Sequence, residues 1–250
     1  EYDIIEHSAW RFILNISREF FKENAHDSYL KGLDQTGITT NKIPKISEMD
    51  KKLHKVSWGA VPVRGFIPPF AFMQFQALGI LPIAADMRTV DHLTYTPAPD
   101  IVHEAAGHAP IVSNIEYSDY LKKYGYIASK AISNKDDIDI YNTIRELSDL
   151  KENPDVSSNQ IKLIESTLRK LINSSGEPSE SALLSRLHWW TVEYGLIGTI
   201  KDPKIYGAGL LSSVGESQNC LSDDVEKIPF SLDCINYNYD ITEQQPQLFV

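Results

Sequence analysis

Several features that mark particular classes of protein are scarce in this chain of 250 residues. Only two cysteines occur, Cys220 and Cys234, and neither stands in a CxxC pair. A disulfide framework is therefore excluded, and a reducing cytoplasm is the expected compartment. No apolar run approaches the ~20 residues that a membrane-spanning helix needs, and the N-terminus lacks the basic, apolar and small-residue order of a signal peptide. We therefore expect a cytoplasmic protein with no membrane partner.

Positive charge is scarce as well. The chain has 24 Lys and Arg against 34 Asp and Glu, a formal net charge of −10, and no segment concentrates basic residues. Because phosphate binding needs clustered positive charge, nucleic acid is excluded as a partner. The remaining composition, 42% hydrophobic and 23% charged, is ordinary for a globular domain with a sizeable core. The sequence opens on Glu1 without a methionine, and we expect it to be a segment of a longer protein.

Apolar residues repeat mainly at the spacing of α-helices. Four such stripes run over residues 9–20, 117–131, 161–171 and 183–194. Ser8 is placed to cap the first of them, because a serine hydroxyl accepts hydrogen bonds from unpaired N–H groups at a helix start. The pattern predicts a mainly α protein.

Evidence for β-strands is limited to two short segments, residues 81–87 and 228–235. Residues 58–69 carry two glycines and three prolines, which are too many breakers for a regular element. We find no internal repeat and no flexible linker between domains. A single domain over residues 1–250, with little β structure, is the expected architecture.

The sharpest local signal is a pair of histidines, His103 and His108, separated by Glu104, two alanines and Gly107. Histidines five residues apart lie ~140° away from a common face on an ideal α-helix. To present both imidazoles to one point, the helix must end, bend or bulge within the motif, and Gly107 is the residue most able to allow this. Pro99 and Pro110 predict a short helix bounded at both ends.

Three interpretations of the pair remain open from these residues alone. The histidines are unrelated residues on a short helix; or they bind a catalytic zinc, with Glu104 as the base of a hydrolase; or they belong to a two-histidine, one-carboxylate iron(II) site. The last needs a carboxylate from elsewhere. Glu193, an acid within the apolar and aromatic segment 189–195, is a candidate, although a solvated glutamate on an amphipathic helix fits the same pattern.

Longer blocks resemble the biopterin-dependent aromatic amino acid hydroxylases, the family of phenylalanine, tyrosine and tryptophan hydroxylases. The resemblance is carried by Tyr-Thr-Pro-Ala-Pro-Asp at 95–100 running into the histidine motif, by Thr-Val-Glu-Tyr-Gly-Leu at 191–196, and by Tyr-Gly-Ala-Gly-Leu-Leu-Ser-Ser at 206–213. Residues 62–88 resemble the pterin-loop segment of the family. The blocks occur in the family's order and span its catalytic domain nearly end to end.

The resemblance implies roles for individual residues. The implied iron ligands are His103, His108 and Glu193. The implied pterin contacts are Gly65, Ile67, Phe72, Glu104 and His188. The implied substrate contacts are Arg88, Thr96, Asp100, Trp189 and Ser212, with Arg88 on the substrate carboxylate, Asp100 orienting it, and Trp189 beside the substrate ring.

The implied activity is a monooxygenase reaction that uses iron(II), a tetrahydropterin and O2 to hydroxylate the ring of an aromatic amino acid. Phenylalanine, converted to tyrosine, is the expected substrate, because Trp189 is the larger residue found at this position in relatives that act on phenylalanine or tyrosine. Hydroxylation of tryptophan, or of phenylalanine at another ring carbon, remains an alternative, as do the zinc hydrolase and a non-enzymatic protein that keeps the fold.

The chain departs from the family pattern in three places. Ala98 stands where a glutamate is usual, and His188 stands where a tyrosine is common beside the pterin. His108 and Glu193 are 85 positions apart, which is more than usual for the family. We expect the extra residues to form a surface insertion over about residues 134–180.

Overall fold

The structure is a computed structural model that describes residues 2–65, 67–94, 99–153, 155–239, 241 and 244–250. Its α-helices are Ile4–Asn24 (α1), Asp27–Thr36 (α2), Ile46–Leu53 (α3), Pro69–Ala77 (α4), Ala109–Ile111 (α5), Ile115–Ala128 (α6), Lys135–Glu152 (α7), Ser158–Ser174 (α8), Glu180–His188 (α9), Ala208–Leu211 (α10) and Val214–Asn219 (α11). Two further segments, Val102–His108 and Trp189–Glu193, are π-helices, and His54–Val56, Val90–His92 and Leu232–Asn236 form 3-10 turns.

Strands are few and short, as the periodicity predicts. Those described are Gly59–Val63 (β1), Ile80–Ala84 (β2), Leu196–Thr199 (β3), Asp202–Ile205 (β4), Glu226–Ile228 (β5) and Gln247–Phe249 (β6). They form two-stranded sheets: β1 pairs in parallel with β2, β3 in antiparallel with β4, and β5 in parallel with β6. Within the described ranges, no helix combines the length and the apolar character that crossing a bilayer requires.

The first helix begins earlier than its apolar stripe indicates. Asp3 caps α1 by accepting hydrogen bonds from the backbone N–H groups of Ile5 and Glu6, and Glu6 returns the contact in a capping box. Ser8, which the sequence placed at the cap, lies inside the helix and donates to the carbonyl of Ile4. That prediction was wrong, because an aspartate further upstream satisfies the unpaired N–H groups first.

The predicted loop over residues 58–69 was also wrong in part, because it contains strand β1. Pro62 lies within this strand, opposite Ile83 of β2. A proline is tolerated there because β1 has only one paired edge, so the missing N–H breaks no ladder hydrogen bond. Helix α4 connects the two parallel strands. Their carboxyl ends therefore emerge side by side, and Gly65 and Arg88 reach the same cavity.

The strand expected over residues 228–235 is largely absent. Strand β5 ends at Ile228, and the 3-10 turn Leu232–Asn236 follows. Ser231 caps this turn by accepting the backbone N–H of Asp233, which favours a turn over an extended chain.

The apolar faces of these helices and strands pack together in one core that includes the two π-helices. Trp10 on α1, Trp58 before β1 and Trp190 in the second π-helix are among the largest fully buried side chains. Each indole N–H has a partner: the carbonyl of Thr39, the hydroxyl of Ser118 and the carbonyl of Tyr237, respectively. Because these aromatics are both buried and hydrogen-bonded, they hold the surrounding helices in defined positions.

Candidate metal centre

The histidine motif lies on the π-helix Val102–His108. A π-helix is closed by i to i+5 hydrogen bonds, so residues five apart come to lie nearly one above the other. The Nε2 atoms of His103 and His108 are accordingly 3.1 Å apart, and their rings meet edge to face with centroids 4.8 Å apart. The predicted bulge within the motif is therefore present. The helix continues through Pro110 and ends one residue later, at Ile111.

Gly107 lies within the π-helix, and it has a further role that the sequence did not indicate. A Cβ atom at this position would lie 2.6 Å from the carbonyl oxygen of Ala208, at the start of α10. The φ angle of Gly107 does not lie in the left-handed region, so the backbone conformation itself does not require a glycine there. The residue allows two backbones to approach closely, and it thereby sets α10 against the histidine helix.

Glu193 comes from a second π-helix, Trp189–Glu193, which extends α9. Its Oε2 atom lies 3.5 Å from Nε2 of His103, and its Oε1 atom lies 3.2 Å from Nε2 of His108. The structure thus brings together a carboxylate and two imidazoles that precede it by 85 and 90 positions in the sequence. Two nitrogen donors and one oxygen donor converge on a single point at the cavity wall.

Glu104 is a second carboxylate close to the histidines. Its carboxylate and the two imidazoles lie within 4.8 Å of one another. Glu193 is the better third ligand, because it contacts both imidazoles at 3.2–3.5 Å. Oε2 of Glu104 is buried and has no hydrogen-bond partner among the described residues. Burial raises the pKa of Glu104 to about 8, so this side chain holds a proton at neutral pH.

The three converging groups form one buried electrostatic unit. Burial lowers the pKa of His103 to about 4. Burial is the largest single influence on His108 and Glu193 and opposes charge on both, but their attraction and hydrogen bond, with smaller contributions from nearby charged groups, together outweigh it. The pKa of His108 is therefore raised to about 9, and that of Glu193 is lowered. One proton is therefore held between His108 and Glu193. A metal ion that binds between these two side chains displaces that proton, because a histidine must be deprotonated to coordinate a metal.

A serine orients the first histidine. Ser212 Oγ lies 3.0 Å from Nδ1 of His103 and 2.8 Å from the carbonyl oxygen of Ala208. Because the hydroxyl proton is donated to that carbonyl, Oγ accepts the N–H of His103, which leaves the Nε2 lone pair facing Glu193. The sequence had implied only a substrate contact for Ser212. A partner for His103 could have been expected in general terms, because a metal-binding imidazole usually donates its other N–H to a nearby acceptor. The sequence does not indicate which residue this partner is.

Arg88 is held rigidly at the cavity wall. Its Nε and Nη2 donate to the two carboxylate oxygens of Asp100, each at 2.8 Å, and Nη1 donates to the carbonyl of Ser212 at 3.2 Å. Asp100 also accepts the backbone N–H of His103 at 3.0 Å. The expected pairing of Arg88 with Asp100 is thus present, and the guanidinium keeps further N–H groups for a ligand carboxylate.

A cavity of about 390 Å³ opens beside these groups. The residues singled out in the sequence that line it are Gly65, Ile67, Phe72, Arg88, His103, Glu104, His108, His188, Trp189, Glu193 and Ser212. Asp100 lies behind Arg88. Thr96 and Ala98 fall outside the described residues. Tyr141 and Ile144 of α7 also line the cavity; the sequence missed them, because no helical stripe was evident there.

Aromatic rings form one wall of the cavity. Trp189 is stacked between Tyr194 and Tyr239, with ring centroids 4.5 and 4.4 Å away. Phe72 meets the rings of His108 and His188 edge to face, at 6.5 and 6.3 Å. Flat apolar surfaces therefore lie next to the polar cluster. The arrangement suits a planar ligand that is held beside a metal ion.

Comparison with known proteins agrees with this geometry. A family model described as biopterin-dependent aromatic amino acid hydroxylase matches residues 1–148 and 166–250. A phenylalanine-4-hydroxylase of Pseudomonas aeruginosa is 27% identical over 251 residues, which cover all of this chain and 79% of the relative.

Solved structures match over the same extent. Phenylalanine hydroxylase of Chromobacterium violaceum, with bound iron(III) and oxidised 7,8-dihydrobiopterin, is similar at a TM-score of 0.77 and 26% identity, covering 100% of this chain and 76% of that one. The iron- and phenylalanine-bound form of the same enzyme is similar at a TM-score of 0.72 and 26% identity, covering 99% and 75%. The observed architecture is the catalytic-domain fold of these enzymes.

Proposed function

Because the chain belongs to the biopterin-dependent aromatic amino acid hydroxylases, we propose that it hydroxylates L-phenylalanine to tyrosine with iron(II), a tetrahydropterin and O2. One observation carries the proposal: Nε2 of His103, Nε2 of His108 and the carboxylate of Glu193 lie 3.1–3.5 Å from one another at the wall of the cavity. Relatives of this chain are named phenylalanine-4-hydroxylase, and a similar structure holds iron and phenylalanine.

The donor set fits iron(II). Two neutral imidazoles and one carboxylate form the facial arrangement that is typical of non-haem iron(II) oxygenases. In this assignment His103, His108 and Glu193 hold the metal, with Ser212 fixing the ring of His103. When bound, iron(II) and the reduced pterin supply the activation of O2, which the side chains of the protein cannot perform.

The substrate amino acid is held at two ends. The guanidinium of Arg88, kept in place by Asp100, binds the carboxylate, and Trp189 lines the part of the cavity that takes the aromatic ring. Binding energy from the carboxylate, remote from the reacting carbon, orients the ring toward the metal ligands. Thr96 and Ser212 are assigned to the amino-acid backbone of the substrate.

The pterin occupies the other side of the cavity. Phe72 presents a ring on which a pterin stacks, and the backbone around Gly65 and Ile67 contacts its polar edge. Glu104, which holds a proton at neutral pH because of its burial, donates a hydrogen bond toward the pterin, directly or through water. His188 completes this side of the site.

We assign residues 1–250 to one catalytic domain with an insertion over about 134–180 that lies mostly at the surface, except that Tyr141 and Ile144 of α7 line the cavity. Support for the insertion comes from α7 and α8, which pack against each other and are joined by an ion pair of 3.0 Å between Lys151 and Glu165. Residues 149–165, which the family model leaves unmatched, run from the end of α7 into the first half of α8. We place the protein in the cytoplasm, where the two free, buried cysteines remain reduced.

The test is a product assay after anaerobic loading with iron(II). Wild-type protein, given phenylalanine, tetrahydrobiopterin and O2, is expected to form tyrosine in proportion to its iron content. Glu193→Ala is expected to abolish turnover and iron retention with little change in the circular dichroism spectrum. Glu48→Gln, an exposed change on α3, is the matched control and is expected to keep both.

Two results would contradict the proposal. Turnover at the wild-type rate in Glu193→Ala would remove that residue from the metal site. Zinc-dependent hydrolysis without pterin-dependent O2 uptake would favour a hydrolase built on His103 and His108. Incubation with tryptophan in place of phenylalanine, followed by chromatographic identification of the product and its ring position, settles the substrate.

A further inference from the structure

His188 lies at a junction between the metal ligands and the cavity. It is the last residue of α9 and precedes Glu193 by five positions, across the turn of the second π-helix. Its Nδ1 atom lies 3.7 Å from Oε1 of Glu193. Its Nε2 atom is buried and has no hydrogen-bond partner among the described residues. The ring therefore has one nitrogen near a metal ligand and one nitrogen unused.

Two aromatic neighbours fix the orientation of this ring. Phe72 meets it edge to face at 6.3 Å and 86°, and Tyr124 lies against it at 5.2 Å and 45°. The hydroxyl of Tyr124 donates to the carbonyl of Leu184, so it does not compete for either nitrogen of His188. Because the residue is only 7% exposed, water does not readily take the place of a partner for Nε2.

A buried polar atom without a partner is costly and rare in native proteins. At Nε2 the natural partner is a ligand of the cavity, which His188 lines. The Nδ1···Oε1 distance of 3.7 Å is longer than a hydrogen bond, so forming the bond requires the imidazole and the carboxylate to move closer together. A neutral imidazole has one N–H, so an Nδ1–H donor leaves Nε2 as an acceptor.

We propose that His188 couples the pterin to the metal site: Nδ1–H donates to the carboxylate of Glu193, while Nε2 accepts an N–H of the pterin. The inference rests on the proposed function and adds a positioning residue to it. The tyrosine that is common at this position has one polar atom, so a donor and an acceptor contact must both be made at that atom, whereas histidine offers two separate nitrogens. In this chain, each of the two ligands therefore favours the binding of the other, and the coupling is reciprocal.

Binding measurements on the whole protein test the coupling without turnover. Cobalt(II) serves as the metal probe and 7,8-dihydrobiopterin as the pterin probe, each titrated alone and in the presence of the other. In wild type, each probe is expected to tighten the other by about 5-fold, which is the size of one hydrogen bond. The ligand-field absorption of cobalt(II) is expected to change when the pterin is added.

Three substitutions separate the two nitrogens. The amide of His188→Asn takes the place of Nδ1, that of His188→Gln takes the place of Nε2, and His188→Phe keeps neither. Cobalt(II) binding is expected to stay near wild type in His188→Asn and to weaken about 10-fold in the other two, as for loss of a group that orients a metal ligand. Pterin binding is expected to stay near wild type in His188→Gln and to weaken about 5-fold in the other two.

His54→Asn, an exposed change beside α3, is the control and is expected to alter neither affinity. Wild-type affinities and coupling in His188→Phe would overturn the inference while leaving the proposed function intact. So would equal losses in the Asn and Gln variants, since a merely structural histidine does not distinguish its nitrogens. A wild-type protein that binds no cobalt(II) would instead overturn the proposed function, and this inference with it.

Discussion

The side chains of Arg88 and Asp100 form a bidentate ion pair inside the protein, with two N–H···O hydrogen bonds of 2.8 Å. Both side chains are almost fully buried, at 1% and 4% exposure. The same carboxylate accepts the backbone N–H of His103. The residue that we assign to the substrate carboxylate is thus tied directly to the helix that carries the histidines.

Asp100→Asn is expected to destabilise the protein by about 3 kcal/mol, because it leaves the buried guanidinium of Arg88 without its counter-charge. The KM for phenylalanine is expected to rise about 10-fold, since Arg88 loses its fixed orientation. Urea unfolding and steady-state kinetics measure the two effects. Asp34→Asn, which breaks an exposed pair with Arg18, is the control, with an expected loss below about 1 kcal/mol. An equal loss in both variants would contradict the prediction.

Trp189→Phe is expected to shift the preference toward larger amino acids. The indole is held between Tyr194 and Tyr239, so a smaller ring leaves space that the neighbours cannot easily fill. The ratio of kcat/KM for tryptophan to that for phenylalanine is expected to rise by about 10-fold, the usual scale for a change of pocket volume. Both substrates are measured with the same preparation, so differences in the amount of active enzyme cancel in the ratio. A ratio that stays constant or falls would remove Trp189 from the substrate pocket.

Gly107→Ala is expected to disturb the metal site through its backbone. The added methyl group would lie 2.6 Å from the carbonyl oxygen of Ala208, so α10 and the histidine helix must move apart. We expect a loss of about 2 kcal/mol in stability and weaker cobalt(II) binding. Gly176→Ala, where nothing lies within 4 Å of the new Cβ atom, is the matched control. Equal thermal stability of the two variants would contradict a close approach at Gly107.

The stability of the protein is expected to depend on pH through Glu216. This carboxyl is buried, its Oε1 has no hydrogen-bond partner in the described chain, and burial raises its pKa to about 7 from 4.5. Between these values the native state holds a proton that the unfolded chain has released. Stability therefore falls as pH rises through this window, by about 3 kcal/mol in total.

Glu216→Gln removes that titration. Near pH 4.5 the variant and wild type are expected to have similar free energies of unfolding, whereas at pH 8 the variant is expected to be more stable by about 3 kcal/mol. Urea unfolding across this pH range is the measurement. A variant that is less stable than wild type at pH 8 would show that the ionised carboxylate has a favourable partner.

The sequence by itself determined the helical class of the fold, and it predicted most of the polar residues that line the cavity. Helical periodicity is a local property, so the stripes over residues 9–20 and 161–171 fall within α1 and α8. The stripe over 183–194 follows α9 and its π-helical extension to within one residue. The five-residue spacing of His103 and His108 likewise requires a distorted helix, and a π-helix satisfies it. These predictions succeeded because each depends only on neighbours within a few positions.

The tertiary structure alone decided which of these residues meet. Glu193 reaches His108 across 85 positions and His103 across 90, and Ser212 reaches His103 across 109. Gly107 is required by the backbone of Ala208 rather than by its own φ. Strand β1 forms despite Pro62 because its partner lies on one side only. Such contacts follow from long-range packing, in which burial and hydrogen bonding between distant segments outweigh the local preference of any one residue.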